Sequence, residues 1–279
     1  MKIKGFILAL CMFLYATHAV YNETLAGKLG DLCSVAYCPE WSVYDWTCAP
    51  CGIWKDAKLV SVVSEPKYSV FGFMATIDEG AVFVFEGTQD LEDILIDLQF
   101  GTTIPYKDHP TARVHEGFWK AYLSVRDYII WLLTEFNETP LYCTGHSLGG
   151  AMATLLAIDL QETMNRSCIM YNMGSPRVGN RDFGALFMNG SVNHRITHWS
   201  DPVPHLPPLL LDFYHIQDEI WYNEEWSEYV YCPEAEDKRC SDSKKIATSV
   251  RDHRVYFNKS ITACKDSSPT LYSPSHYGL

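Results

Sequence analysis

Gly145-His146-Ser147-Leu148-Gly149 sets a serine between two glycines. The apolar run Leu141 to Cys143 precedes it, and an Ala-rich run from Ala151 to Ile158 follows. Strand, G-x-S-x-G and helix in that order is the setting of a nucleophile elbow. The turn is so sharp that flanking side chains would collide, which is why glycine stands on both sides. Ser147 would then occupy the tip, with the next helix pointing its N-terminus at the oxygen of an acyl group under attack. The bland alternative is a glycine-rich loop that packs a sheet on a helix.

A hydroxyl is a weak nucleophile and needs a base, oriented in turn by a carboxylate. In such sites the chain order is serine, acid, histidine. Asp201 follows the strand-like run His194 to Trp199 and is locked by Pro202 and Pro204. Asp182 and Asp212 are rivals that no convincing strand precedes. His253 and His215 both lie downstream, with His253 favoured on order alone, and order does not settle the choice. His115 and His205 read as structural, and His276 lies in the tail.

The elements that must position these residues are legible in outline. Leu59 to Val63, Tyr68 to Ala75 and Ala81 to Phe85 are rich in valine and aromatics and read as strands, with a turn at Asp78-Glu79-Gly80. Within Gln89 to Phe100, Leu91, Ile94, Leu95 and Leu98 form one helical stripe, as core packing or as a lid over an apolar cleft. Phe118, Tyr122, Val125, Ile129, Leu132 and Phe136 predict a long helix over Gly117 to Phe136. Strands are expected at Cys168 to Met173, His194 to Trp199 and Trp226 to Tyr231, with a short helix at Asn180 to Met188. The alternation predicts an α/β fold with a mostly parallel, mixed sheet covered by helices.

Lys2 and Lys4, the apolar run Phe6 to Tyr15 and Ala16-Thr17-His18-Ala19 read as a secretory signal over residues 1–19. That run is too short to span a bilayer, and no transmembrane segment is expected in the mature chain. Residues 20–54 read as a Cys-rich strap, and residues 55–279 as one domain. Cleavage after Ala19 would move the formal charge from −12 to about −14, which argues against nucleic acid and anionic membranes. Of the cysteines left, Cys33, Cys38, Cys48, Cys51, Cys143, Cys168, Cys232, Cys240 and Cys264, most should pair in a secreted chain. The odd number leaves one thiol, and Cys143 is the candidate, since a strand entering the elbow is buried. Cys48-x-x-Cys51 lacks a second close pair of ligands and reads as a disulfide. Sequons at Asn22, Asn137, Asn165, Asn189 and Asn258 suit a secreted glycoprotein.

Several motifs together resemble the class 3, fungal-type secreted triacylglycerol lipases of the α/β-hydrolase type. They are Phe85-Glu86-Gly87-Thr88, Val114-His115-Glu116-Gly117-Phe118, Thr144 to Gly150, Gly174 to Gly179, Asp201 to Pro208, and Asp252-His253 with Tyr256-Phe257. The resemblance implies Ser147 as nucleophile, Asp201 as orienter and His253 as base, with a structural place for His215. It implies an oxyanion hole from Thr88 and the Leu148 N–H, and a lid carrying Leu91, Ile94, Leu95 and Leu98. It implies disulfides Cys38–Cys264, Cys48–Cys51 and Cys232–Cys240, leaving Cys33, Cys143 and Cys168 without assigned partners. Glu86 stands where the family usually has arginine, Ile94 where many relatives carry a lid tryptophan, and Asn258 where glycine is usual. The expected activity is hydrolysis of acylglycerol esters at a lipid–water interface by a monomer, with no cofactor or metal. A phospholipase A1 or feruloyl-type esterase would share the triad, and a non-catalytic lipid-binding homologue is the remote alternative.

Overall fold

The computed structural model describes residues 20–88, 100–137, 140–187 and 192–266. The expected signal segment, the stripe Leu91, Ile94, Leu95 and Leu98, and His276 lie outside these residues.

Helix α1 (Glu23–Ala36) opens the described chain. The Asn22 side chain accepts from the Leu25 N–H and caps it, and Leu25, Leu29, Leu32 and Ala36 are buried along one stripe. Each fully buried leucine contributes about 2 kcal/mol through apolar area removed from water. Part of the expected Cys-rich strap is therefore helical, continued by α2 (Glu40–Tyr44). Gly27, Gly30 and Ser34 lower its intrinsic propensity and mask it in the sequence, while burial of its stripe overrides that cost.

Strands β1 (Lys58–Glu65), β2 (Val70–Ile77) and β3 (Gly80–Phe85) form an antiparallel meander. A short ladder of β4 (Thr102–Thr103) and β5 (Val114–His115) leads to helix α3 (Glu116–Glu135). Then come β6 (Leu141–His146), helix α4 (Leu148–Met164), β7 (Ile169–Met173), helix α5 (Arg181–Leu186) and β8 (Asn193–His198). Strands β9 (Glu219–Tyr222) and β10 (Tyr229–Cys232), helix α6 (Val250–Arg254) and β11 (Val255–Tyr256) follow.

The main sheet runs β1-β2-β3-β6-β7-β8-β9-β10. Its centre from β3 to β9 is parallel, and both edges are antiparallel. Side chains alternate across it: Ala81, Phe83 and Phe85 pack towards α3 and α4, and Val82 and Val84 towards α1. Burial on both faces explains the uninterrupted apolar runs of the central strands.

The disulfides Cys38–Cys264, Cys48–Cys51 and Cys232–Cys240 form as expected. Cys143 is not the free thiol: it pairs with Cys168. The parallel register sets Cys143 opposite Met170, so Cys168, just ahead of β7, comes within bonding range. Among the described residues, the free cysteine is Cys33, buried in α1.

Candidate active site

Three consecutive parallel strands end in the residues of interest. β6 delivers Ser147, β7 delivers Gly174 and β8 leads to Asp201. Carboxyl ends of adjacent parallel strands are where open α/β sheets gather ligands.

Ser147 lies at φ 58° and ψ −127°, a conformation that costs a non-glycine residue about 1–3 kcal/mol and persists where surrounding structure imposes it. The Ser147 N–H bonds to the Met173 carbonyl at 2.9 Å. A side chain at Gly145 would collide with the Gly149 backbone, and one at Gly149 with the Phe85 carbonyl. The two glycines thus have the steric reason the sequence proposes. Ser147 Oγ is buried and, among the described residues, has no hydrogen-bond partner.

Asp201 and His253 form a buried pair, with Nδ1 2.9 Å from each carboxylate oxygen. Two further donors fix the carboxylate: Tyr256 Oη at 2.7 Å to Oδ2 and the Val203 N–H at 2.9 Å to Oδ1. A carboxylate accepts only, so Nδ1 carries the proton and Nε2 is left to accept one. The loop bearing His253 is latched to the Asp201 loop: Ser249 N–H bonds to the Ser200 carbonyl at 3.1 Å, and Ser200 N–H to Asp252 Oδ2 at 3.2 Å. The His253 ring lies against His146, the residue before Ser147, with centroids 4.4 Å apart. Asp201, His253 and the Ser147 turn are thereby brought together.

The segment 86–88 leaves β3 beside the elbow. Gly87 fits so closely that a Cβ there would stand 2.5 Å from the His146 carbonyl and 3.1 Å from Ser147 Cβ. Thr88 follows directly, and Leu148 begins α4, whose first N–H groups have no intrahelical acceptor. Both expected oxyanion donors therefore flank the Ser147 turn.

The rival residues have other partners. His215 Nε2 bonds to the Pro204 carbonyl at 2.7 Å, and its N–H bonds to Glu236 at 2.7 Å. His115 caps α3 by accepting from the Phe118 N–H at 3.2 Å. His205 closes a 3-10 turn after Asp201. Asp212 pairs with Arg113, and Asp182 sits in the first turn of α5.

Sequence reasoning missed Tyr37 and His146. Tyr37 Oη and His146 Nδ1 are 2.7 Å apart, and His146 Nε2 is 2.7 Å from the His253 carbonyl. Burial, and then the neighbouring His253, push His146 well below the usual histidine range. The only local signal is a histidine inside the elbow motif, and Tyr37 lies 109 residues away. Among the described residues, no group of His, Cys, Asp and Glu is arranged to hold a metal, and no helix is long and apolar enough to cross a membrane.

The class 3 lipase family matches residues 82–211. A lipase from Rhizomucor miehei is 33% identical over 78% of this chain and 64% of its own length. A secreted mono- and diacylglycerol lipase A from Penicillium cyclopium is 32% identical over 74% of this chain and 67% of its own length. The chain thus spans 64% of the Rhizomucor relative. Among solved structures, lipase II from Rhizopus niveus superposes with a TM-score of 0.79 at 29% identity, over 88% of this chain and 98% of that one. With a turn, sheet and acid–histidine pair of this geometry and relatives at this identity, the chain belongs to the class 3 lipase family.

Proposed function

We propose that the chain hydrolyses acylglycerol esters through an acyl-enzyme, with Ser147 as nucleophile, His253 as base and Asp201 as its orienter. The observation that carries this reading is the buried Asp201–His253 pair, whose imidazole lies against His146, the residue before a serine held at positive φ. His253 Nε2 takes the Ser147 proton as Oγ attacks the ester carbonyl. Asp201, itself held by Tyr256 and Val203, stabilises the imidazolium that forms. The Leu148 N–H and Thr88 receive the oxyanion, where losing one donor costs about a hundred- to a thousandfold in rate. His253 then protonates the departing alcohol, and water, deprotonated by the same imidazole, releases the fatty acid.

The acylglycerol class is supported by the names of the relatives, lipase and mono- and diacylglycerol lipase. The description of the Penicillium relative as secreted and the four disulfides among the described residues support an extracellular location. We read the enzyme as a monomer acting at a lipid–water interface, with Leu91, Ile94, Leu95 and Leu98 forming its lid. Ser147 is only 1% exposed, so an ester reaches it after a covering element moves.

A fluorophosphonate should label Ser147 and abolish tributyrin hydrolysis, and Ser147→Ala should lose both. Full activity in Ser147→Ala would overturn the reading. Hydrolysis measured across the solubility limit of tributyrin should jump at that limit, whereas simple saturation would remove the lid.

A further inference from the structure

Tyr37 and His146 lie beneath the acid–histidine pair, and no chemical step above uses them. Both are almost wholly buried. His146 Nε2 faces the His253 carbonyl at 2.7 Å. A carbonyl only accepts, so Nε2 carries the proton. Nδ1 is then an acceptor, and Tyr37 Oη donates to it at 2.7 Å. The Tyr37 oxygen is also packed directly against Gly87, where a Cβ would stand 2.0 Å from it. One path of close contacts therefore runs from the loop that presents Thr88 to Tyr37, and on by hydrogen bonds through His146 to the backbone of His253.

That path has a mechanical consequence. Helix α6 has five residues, too few to hold itself without tertiary bonds. Its His253 carbonyl is fixed by the His146 ring, which also leans against the His253 imidazole, with centroids 4.4 Å apart and planes tilted by 36°. A neutral ring in that position adds no like charge to the imidazolium that forms at His253. Tyr37 favours the neutral form by donating to the nitrogen that would otherwise take a proton. The tyrosine is itself anchored, since Cys38 beside it is bonded to Cys264.

We propose that Tyr37 and His146 are positioning residues acting as one unit, which sets the base His253 and the oxyanion loop at Gly87-Thr88 in register with each other. The proposal rests on the function assigned above. Misplacing a reacting group by a fraction of an ångström is felt in the chemical step more than in substrate binding.

The test uses the full disulfide-bonded protein and a short soluble ester, with active sites counted by fluorophosphonate titration. Tyr37→Phe keeps the ring and removes the hydroxyl. It should lower kcat about tenfold with KM within about twofold, the split expected when only transition-state interactions are lost. His146→Phe keeps an aromatic ring without either nitrogen and should lower kcat about a hundredfold. His146→Gln retains a donor for the His253 carbonyl and should recover part of that loss. The double variant Tyr37→Phe/His146→Phe should be no worse than His146→Phe alone, because the two act as a unit.

A purely structural pair would lower the thermal midpoint and leave kcat per titrated site within about twofold, and that result overturns the proposal. Effects that multiply in the double variant overturn it too. Ser147→Ala separates the levels. An inactive Ser147→Ala beside fully active Tyr37→Phe and His146→Phe removes the bridge and leaves the nucleophile assignment intact.

Discussion

Gly174 faces Asp201 so closely that a Cβ on it would stand 2.8 Å from the Asp201 Oδ2 and 3.1 Å from His253 Nδ1. Its φ of 57° also lies where L side chains are strained. Gly174→Ala is therefore expected to push apart the acid–histidine pair. Ester hydrolysis should fall at least about a hundredfold, and unfolding in urea should show a loss above about 1 kcal/mol. Wild-type kcat in this variant would mean that the pair tolerates displacement.

Gly27 gives the opposite case. It lies inside α1, and a Cβ there meets nothing within 4 Å. Gly27→Ala should raise stability by about 0.5–1 kcal/mol with kcat unchanged, because helix propensity improves and no contact is disturbed. A lower urea midpoint would contradict this.

Tyr256 is one of two groups that hold the Asp201 carboxylate from outside the pair. Tyr256→Phe removes a hydrogen bond to a charged acceptor, worth about 1.5–3 kcal/mol. The expected result is a kcat lower by about tenfold or more, with the alkaline limb of the pH profile unaltered. The Tyr256 hydroxyl itself is held neutral by burial and by Asp201, well above the ordinary tyrosine value. A new ionisation near neutral pH would contradict that assignment.

Acid should weaken the fold before carboxylates alone would account for it. Burial lowers His194 from 6.5 to about 4. Burial followed by Arg195 and Arg177 lowers His215, and burial followed by His253 lowers His146. A histidine depressed in the folded state stays neutral there while the unfolded chain takes up a proton below its own value. Stability is then highest above pH 6.5 and falls as pH drops towards the folded value. For His194 the full loss is on the order of 3 kcal/mol. His194→Phe should flatten the decline in urea midpoint between pH 7 and pH 4.5. Parallel curves for the two proteins would refute the assignment.

Cys33 is buried, and its thiol is pushed up to about 12. A thiolate is the reactive form, so folded protein lacking residues 1–19 should not react with a thiol reagent at pH 8. Unfolding without reductant should release one thiol per chain. A second thiol would break the pairing of Cys143 with Cys168.

Much of the site is local and therefore legible in the sequence. The Ser147 turn needs glycines at fixed spacing, and Asp201 follows a strand directly. The parallel part of the sheet shows in the alternation of strand and helix through the middle of the chain, and its mixed character in the β-rich N-terminal third. The choice between His253 and His215 is not local. It depends on which loop folds back over Ser200, and Ser249 decides it by bonding there. Motif resemblance favoured His253, and the 2.9 Å bonds to Asp201 agree. α1 was hidden because tertiary burial, not propensity, makes it a helix. The Cys143–Cys168 bond was hidden because it depends on the register of β6 with β7. Tyr37 was hidden because its partner at 146 is close only after folding.

The bond between Cys38 and Cys264 joins residues 226 positions apart, with their Cα atoms 5.0 Å from each other. The two flanks of the folded body are neighbours in space. A chain nicked in a loop between them would therefore stay in one covalent piece, because the bond carries both halves across the cut. Reductant should be needed before the two fragments part under denaturing conditions.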